Sequence, residues 1–152
     1  MITVIIGNPP YNVGQVNEND NNKNRKYPIV DGWVKNTYAK DSKATNKNAL
    51  SDPYVKAIKW ASNRIKDTGI VALVTNNGFL DGIAFDGMRE HLSKDFSKIY
   101  CLDLGGNVRK NPKLSGTTHN VFGIQVGVSI NLLVKREATE PTEFYYARLD
   151  EF

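Results

Sequence analysis

Residues 52–76 read DPYVKAIKWASNRIKDTGIVALVTN, a helix pattern that runs directly into a strand pattern. Asp52 offers a capping carboxylate, and Pro53 suits the first helical position, where its missing N–H removes no hydrogen bond. Tyr54, Ile58, Ala61 and Ile65 then recur on one face at helical spacing. Gly69 is expected to stop that helix. Ile70–Thr75 is short, apolar and bounded by Asn76-Asn77-Gly78, so it reads as a strand.

Working outward, Thr3-Val4-Ile5-Ile6 is a β-branched run closed by Gly7, Asn8, Pro9 and Pro10, and reads as a fully buried strand. After Gly78 a second amphipathic helix is predicted, with Phe85, Met88, Leu92 and Phe96 on its buried side. A third strand spans Lys98–Leu104 and ends at Gly105-Gly106. A basic loop then leads to the longest strand, where Ile124, Val126, Val128, Ile130, Leu132 and Val134 alternate with Gln125, Gly127, Ser129 and Asn131. That period of two predicts one covered face and one more polar face. No helix separates this strand from its predecessor, so it should pair antiparallel. Phe144–Leu149 adds a final strand. Strands alternating with helices define an α/β fold with a mostly parallel sheet.

Residues 12–52 are different in kind. They hold nine asparagines and seven Lys or Arg, with Tyr27, Trp33 and Tyr38 set among them. A connection of this length is uncommon in a compact domain and is usually functional. A short helix is expected around Asp31–Ala39.

The chain has 152 residues, 40% hydrophobic and 24% charged, which suits one compact domain or one piece of a larger one. No apolar run approaches the ~20 residues that span a bilayer, and Met1–Ile6 is too short for a signal-peptide core. Cys101 is the only cysteine, so neither a disulfide framework nor a thiolate metal site is available, and a cytoplasmic location is expected. His91 and His119 lie far apart with no carboxylates clustered about them, and no metal site is predicted. Asp81, Asp86 and Asp103 read as capping or flanking residues.

The net charge is +4, concentrated in two segments. Lys23, Arg25, Lys26, Lys35, Lys40, Lys43 and Lys47 form the first; Arg109, Lys110 and Lys113 form the second. They read either as salt-dependent contacts to nucleic-acid phosphates or as a solvated lysine-rich surface.

Chemistry is concentrated in Asn8-Pro9-Pro10-Tyr11. In an open α/β sheet, ligands bind beyond the carboxyl ends of the strands, where Asn8 falls. Two prolines fix φ and remove two donors, leaving the carbonyls of Asn8 and Pro9 free to accept, beside the Asn8 side-chain oxygen. Convergent, preorganised acceptors suit a planar amino group. Holding both of its N–H protons leaves the nitrogen lone pair available for attack on a methyl sulfonium, and the same dipoles stabilise the charge that develops. Tyr11 offers a flat face for the ring that carries the amine. Stacking on an aromatic is worth roughly 1–3 kcal/mol per base, which offsets part of the cost of extracting a base from a duplex.

These residues resemble the catalytic motif of amino-methyltransferases that use S-adenosylmethionine. The resemblance extends to Asn-Asp-Asn-Asn near residue 20, Lys-Ala-Thr-Asn-Lys-Asn at 43–48 and the segment that begins at Asp52. Together they are similar to the gamma-type adenine-N6 DNA methyltransferase portion of type ISP and type IIG restriction–modification enzymes. The resemblance implies the C-terminal part of a Rossmann-like methyltransferase sheet, S-adenosylmethionine as cofactor and double-stranded DNA as partner. It further implies that Asn8 and the Pro9 carbonyl hold the adenine amino group while Tyr11 stacks on the base. Phe122 is the candidate for the other face of the base. Lys23, Arg25, Lys26, Arg109 and Lys110 are the candidate substrate contacts.

In that family the cofactor is bound mainly by motifs upstream of Asn-Pro-Pro-Tyr, and Gly105-Gly106 follows the wrong strand to replace them. Residues 1–152 are therefore expected to be a partial catalytic domain, inactive alone and prone to self-associate through its first strand as an exposed edge. Two other readings remain: an amino-methyltransferase acting on an RNA base or a protein glutamine, and a non-catalytic DNA-binding module.

Overall fold

A computed structural model describes residues 2–10, 25–106, 126–137 and 141–149. Their strands form one sheet: β1 (Thr3–Gly7), β2 (Gly69–Asn76), β3 (Lys98–Asp103), β4 (Val128–Lys135) and β5 (Glu143–Arg148), in the spatial order β1-β2-β4-β3-β5. β1 is parallel to β2 and β3 is parallel to β5, while β4 lies antiparallel between β2 and β3. Four strands thus share one direction, as the sequence predicts. The antiparallel strand sits inside the sheet, and the shorter β5 that follows it returns to the common direction.

The helices are α1 (Pro28–Val34), which continues as a π-helical turn over Lys35–Ala39, then α2 (Pro53–Arg64) and α3 (Asp86–Asp95). α2 starts as expected: Pro53 opens it and the Asp52 carboxylate accepts the Tyr54 N–H at 3.3 Å. It stops at Arg64, so Gly69 does not end it. Gly69 instead opens β2, where a Cβ would stand 2.4 Å from the Thr3 carbonyl oxygen and 2.9 Å from Ile65. The glycine is needed because β1 crosses there too closely for a side chain.

Tyr54, Val55, Ile58, Met88 and Leu92 from α2 and α3 pack on Val71, Leu73, Ile99 and Leu133 in one apolar cluster. Those strand residues share one face of the sheet. The other face is open among the described residues: Val4 is 56% exposed, Ile6 79%, Ile130 42% and Leu132 37%. Register aligns Ile6, Ala72, Leu132, Tyr100 and Tyr145 across that face, with the two tyrosine rings stacked at 4.7 Å.

Two expectations are corrected here. β1, at the edge of the described sheet as expected, is not fully buried but covered on one face only, because no described element packs on Val4 and Ile6. The alternation of β4 also runs opposite to the simple reading. Ser129 (0% exposed) and Asn131 (2%) point into the covered face, and the apolar Ile130 and Leu132 point out of it. The polar pair is tolerated because it is hydrogen-bonded: Asn131 Nδ2 donates to Thr75 Oγ1 at 2.9 Å and to Ser129 Oγ at 3.0 Å.

α3 approaches the π-helical turn so closely that a Cβ on Gly87 would lie 2.3 Å from the Tyr38 carbonyl oxygen and 2.7 Å from the Ser42 nitrogen. Alanine is favoured over glycine within a helix by up to about 1 kcal/mol, but overpacking against fixed backbone costs about 1–3 kcal/mol. Gly87→Ala is therefore expected to lower the urea-unfolding free energy. A rise in stability would show that α3 and the turn are not in this contact.

Candidate active site at the carboxyl ends of the strands

Register places three strand ends side by side. Gly7 pairs with Leu73, Thr75 with Ser129, and Ser129 in turn with Asp103. Asn8–Pro10, Asn76–Asn77 and Leu104–Gly106 therefore leave β1, β2 and β3 at the same end of the sheet, and β4 begins there. Asn8 and Pro10 are exposed and Pro9 is half-buried. Asn8–Pro10 thus directly follows a strand at its carboxyl end, the position the sequence pattern predicts.

The floor of this end is polar and ordered. Asp103 Oδ1 accepts from Asn77 Nδ2 and from the Gly105 N–H, each at 2.9 Å, and its Oδ2 accepts from the Tyr146 hydroxyl at 2.9 Å. Burial alone would raise the Asp103 carboxyl, but the donors from Gly105, Asn77 and Tyr146 together hold it below the ordinary carboxylate range. The Asn77 N–H donates to the Gly127 carbonyl at 2.9 Å, tying the end of β2 to the approach of β4. A Cβ on Gly127 would lie 2.4 Å from the Asn77 amide, so a side chain there would require that amide to shift. Arg89 on α3 reaches the Phe79 and Gly82 carbonyls, both at 2.8 Å, and so fastens the turn after β2. Cys101 lies in the same layer, buried. Burial pushes its thiol up to about 11, which removes it as a nucleophile near neutral pH.

Sequence reading identified Asn8–Pro10 but missed the hub. It took Asp103 as a flanking residue and passed over Asn77, Tyr146, Thr75 and Asn131. The available signal was position for Asn77 and Asp103, polar residues where β2 and β3 end; Asn131 and Tyr146 lie within their strands and carry no such mark. Arg25 and Lys26 are exposed just before α1, and the Arg25 carbonyl accepts from Lys56 Nζ at 3.1 Å. His91, about which the sequence reading finds no clustered carboxylates, is half-buried and its Nε2 lies 2.6 Å from Asp41 Oδ2. Tyr11, Lys23, Arg109, Lys110, Lys113, His119 and Phe122 lie outside the described residues.

Gly105 (φ 68°) and Gly106 (φ 81°) occupy the left-handed region that glycine enters freely. Gly105 is committed to the sheet, with its N–H on Asp103 and its carbonyl accepting the Val128 N–H at 3.1 Å. Among the described residues no glycine-rich turn leads from a strand into an α-helix.

The fold is that of S-adenosylmethionine-dependent methyltransferases. A class I enzyme of this type from Listeria monocytogenes superposes on 96% of the chain and 36% of its own length, with a TM-score of 0.52 at 16% identity, a likeness of fold alone. Residues 2–108 match the Eco57I restriction-modification methylase family, and the chain belongs to it. Solved relatives agree. The ATP-dependent type ISP restriction-modification enzyme LlaBIII, bound to DNA, is 41% identical over 97% of the chain with a TM-score of 0.86. DrdV, in a DNA complex, is 43% identical over 96% with a TM-score of 0.84. The chain spans 10% of the LlaBIII chain and 14% of the DrdV chain. No curated protein matches it.

The Asp103 hub gives a pH signature. An unfolded aspartate titrates near ~4. The folded value is lower, so its stabilisation is fully present above that pH and fades as pH falls through the folded value. Asp103→Asn is expected to cost about 1–3 kcal/mol at neutral pH and to flatten the acid-side decline of a urea-unfolding series. An unchanged acid limb would show that the carboxylate is not held in this way.

Proposed function

We propose that this chain supplies the amine-accepting half of the active site of a DNA adenine-N6 methyltransferase within a restriction–modification enzyme. One observation carries the reading: Asn8-Pro9-Pro10 stands exposed at the carboxyl end of β1, inside the segment that matches the methylase family. Asn8 Oδ1 and the Pro9 carbonyl accept the two N–H protons of the exocyclic amine. Their alignment is set by the prolines, so little reorganisation is needed as charge develops on the nitrogen. Tyr11 and Phe122 stack on the two faces of the extruded adenine. Arg25 and Lys26, with Lys23, Arg109 and Lys110, meet the duplex backbone; that LlaBIII and DrdV are seen with DNA supports this partner.

S-adenosylmethionine is the methyl source that the family implies. In that family it is held mainly by motifs upstream of Asn-Pro-Pro-Tyr, and on that resemblance we expect the chain alone to bind it weakly and transfer no methyl group. Micromolar binding of S-adenosylmethionine to the 152-residue chain in a calorimetric titration would overturn that part. The edge strand β1, with Val4 and Ile6 bare, leads the isolated chain to self-associate; a monomer throughout a sedimentation series would contradict this.

The decisive test is tritium transfer from labelled S-adenosylmethionine by the polypeptide that carries this segment in its full reading frame. Duplex DNA, RNA and protein are offered in parallel. Label is expected at adenine N6 of the duplex, with Asn8→Ala lowering turnover by about 10²–10³-fold, as for loss of one preorganised polar group at the reacting centre. Label in RNA or in glutamine would favour the other amino-methyltransferases, and no transfer to any acceptor would favour a binding module.

A further inference from the structure

The lysine-rich segment around α1 is not a uniformly solvated surface. A cleft of about 340 Å³ between α1, the Asn48–Ser51 turn and the start of α2 is lined by Lys26, Lys35, Lys47, Lys56 and Asp31. Four ammonium groups against one carboxylate leave it three positive charges in excess. Its floor is Val34, Ala39 and Leu50, apolar atoms that lower the local dielectric and strengthen the field above them.

The four lysines divide by what they already hold. Lys56 Nζ is engaged on Asp31 Oδ1 at 2.8 Å and on the Arg25 carbonyl at 3.1 Å, and lies 5.7 Å from the Tyr27 ring centroid. Lys47 Nζ donates to the Ala39 carbonyl at 2.6 Å and fixes the π-helical turn. These two are structural and form the inner wall. Lys26 and Lys35 stand exposed at the mouth. The ion pairs among the described residues that join Lys56 to Asp31, Lys59 to Asp95, His91 to Asp41, Lys94 to Glu90 and Lys98 to Glu143 involve neither mouth lysine.

The cleft is also correctly placed. α2 ends beside the start of β2, where Ile65 packs on Gly69 and its carbonyl accepts from Lys135 Nζ at 3.1 Å. Its first turn, with Lys56, is therefore at the opposite end of the sheet, the end from which Asn8 projects. Resting on the nucleic-acid reading above, we propose that this cleft is a phosphodiester pocket. Lys26 and Lys35 clamp a backbone phosphate of the bound nucleic acid, against a wall preset by Lys47 and Lys56. Lysines on flexible stems, without an arginine fork or converging backbone N–H groups, suit a charge-matched and salt-dependent phosphate contact.

The test measures binding of a short fluorescein-labelled DNA duplex to the 152-residue chain across a NaCl series. The unmodified chain is compared with the Lys26→Gln/Lys35→Gln pair and with Lys66→Gln, an exposed lysine beyond the far end of α2. The mouth variant should flatten the slope of log affinity against log salt by about 0.9, the value for one phosphate no longer neutralised, and the control should not. Asp31→Asn, which adds net positive charge, should steepen it. In parallel, acetylation with mass-spectrometric readout should show Lys26 and Lys35 protected by duplex and Lys66 unprotected. Duplex binding with an unchanged slope in the mouth variant overturns the pocket and leaves the nucleic-acid reading intact. Protection by sodium pyrophosphate but not by duplex overturns the phosphodiester in favour of a small free anion. No duplex binding by the unmodified chain counts against the nucleic-acid reading itself.

Discussion

β4 is hydrogen-bonded along both edges, to β2 on one side and to β3 on the other, and the rest of the molecule is organised by that double pairing. Without it the described sheet would separate into β1–β2 with α2 and β3–β5 with α3. Because β4 enters at the carboxyl ends of its neighbours, its first residues complete the floor of the candidate site. Val128 exchanges hydrogen bonds with the stretch just after β3, and Gly127 receives one from the turn just after β2. A single antiparallel strand thus fixes the separation of two loops that a parallel sheet alone would leave independent.

Much of this was legible in the sequence because the signals were local and redundant. α2 carried a cap, a proline at its first position and four apolar residues at helical spacing, and each pointed to the same helix. α3 and the strand cores were read for the same reason. Asn8–Pro10 was legible because two adjacent prolines after an apolar strand have few structural uses. What escaped was non-local. Nothing near Gly69 in sequence reveals that Thr3 will cross it, so a packing glycine looked like a helix stop. The Asp103 hub takes one donor from nearby Gly105 but the other two from Asn77 and Tyr146, 26 and 43 residues away, which only the sheet brings to it.

The basic residues make a related point. Counted along the chain, those between Tyr11 and Asp52 form one lysine-rich run. In three dimensions they separate into those spent on the fold, such as Lys47 capping the π-helical turn, and those left with free ammonium groups. Sequence density of charge is therefore a poor guide to the field at a site. Which lysine is already holding a carbonyl or a carboxylate decides how much of that charge an incoming anion meets.

The inverted alternation of β4 has a consequence for how the strand finds its place. Sliding β4 by one residue against β2 would bury Ile130 and Leu132 under the helices and turn Ser129 and Asn131 outward, a trade that hydrophobicity alone would favour. The native alignment is kept by Asn131 Nδ2 donating across to Thr75 Oγ1, a contact that exists in one alignment only, while Ser129 on the same strand accepts from the same amide. Here the oily residues supply adhesion without direction, and three small polar side chains act as the alignment key that makes the strand's position unique.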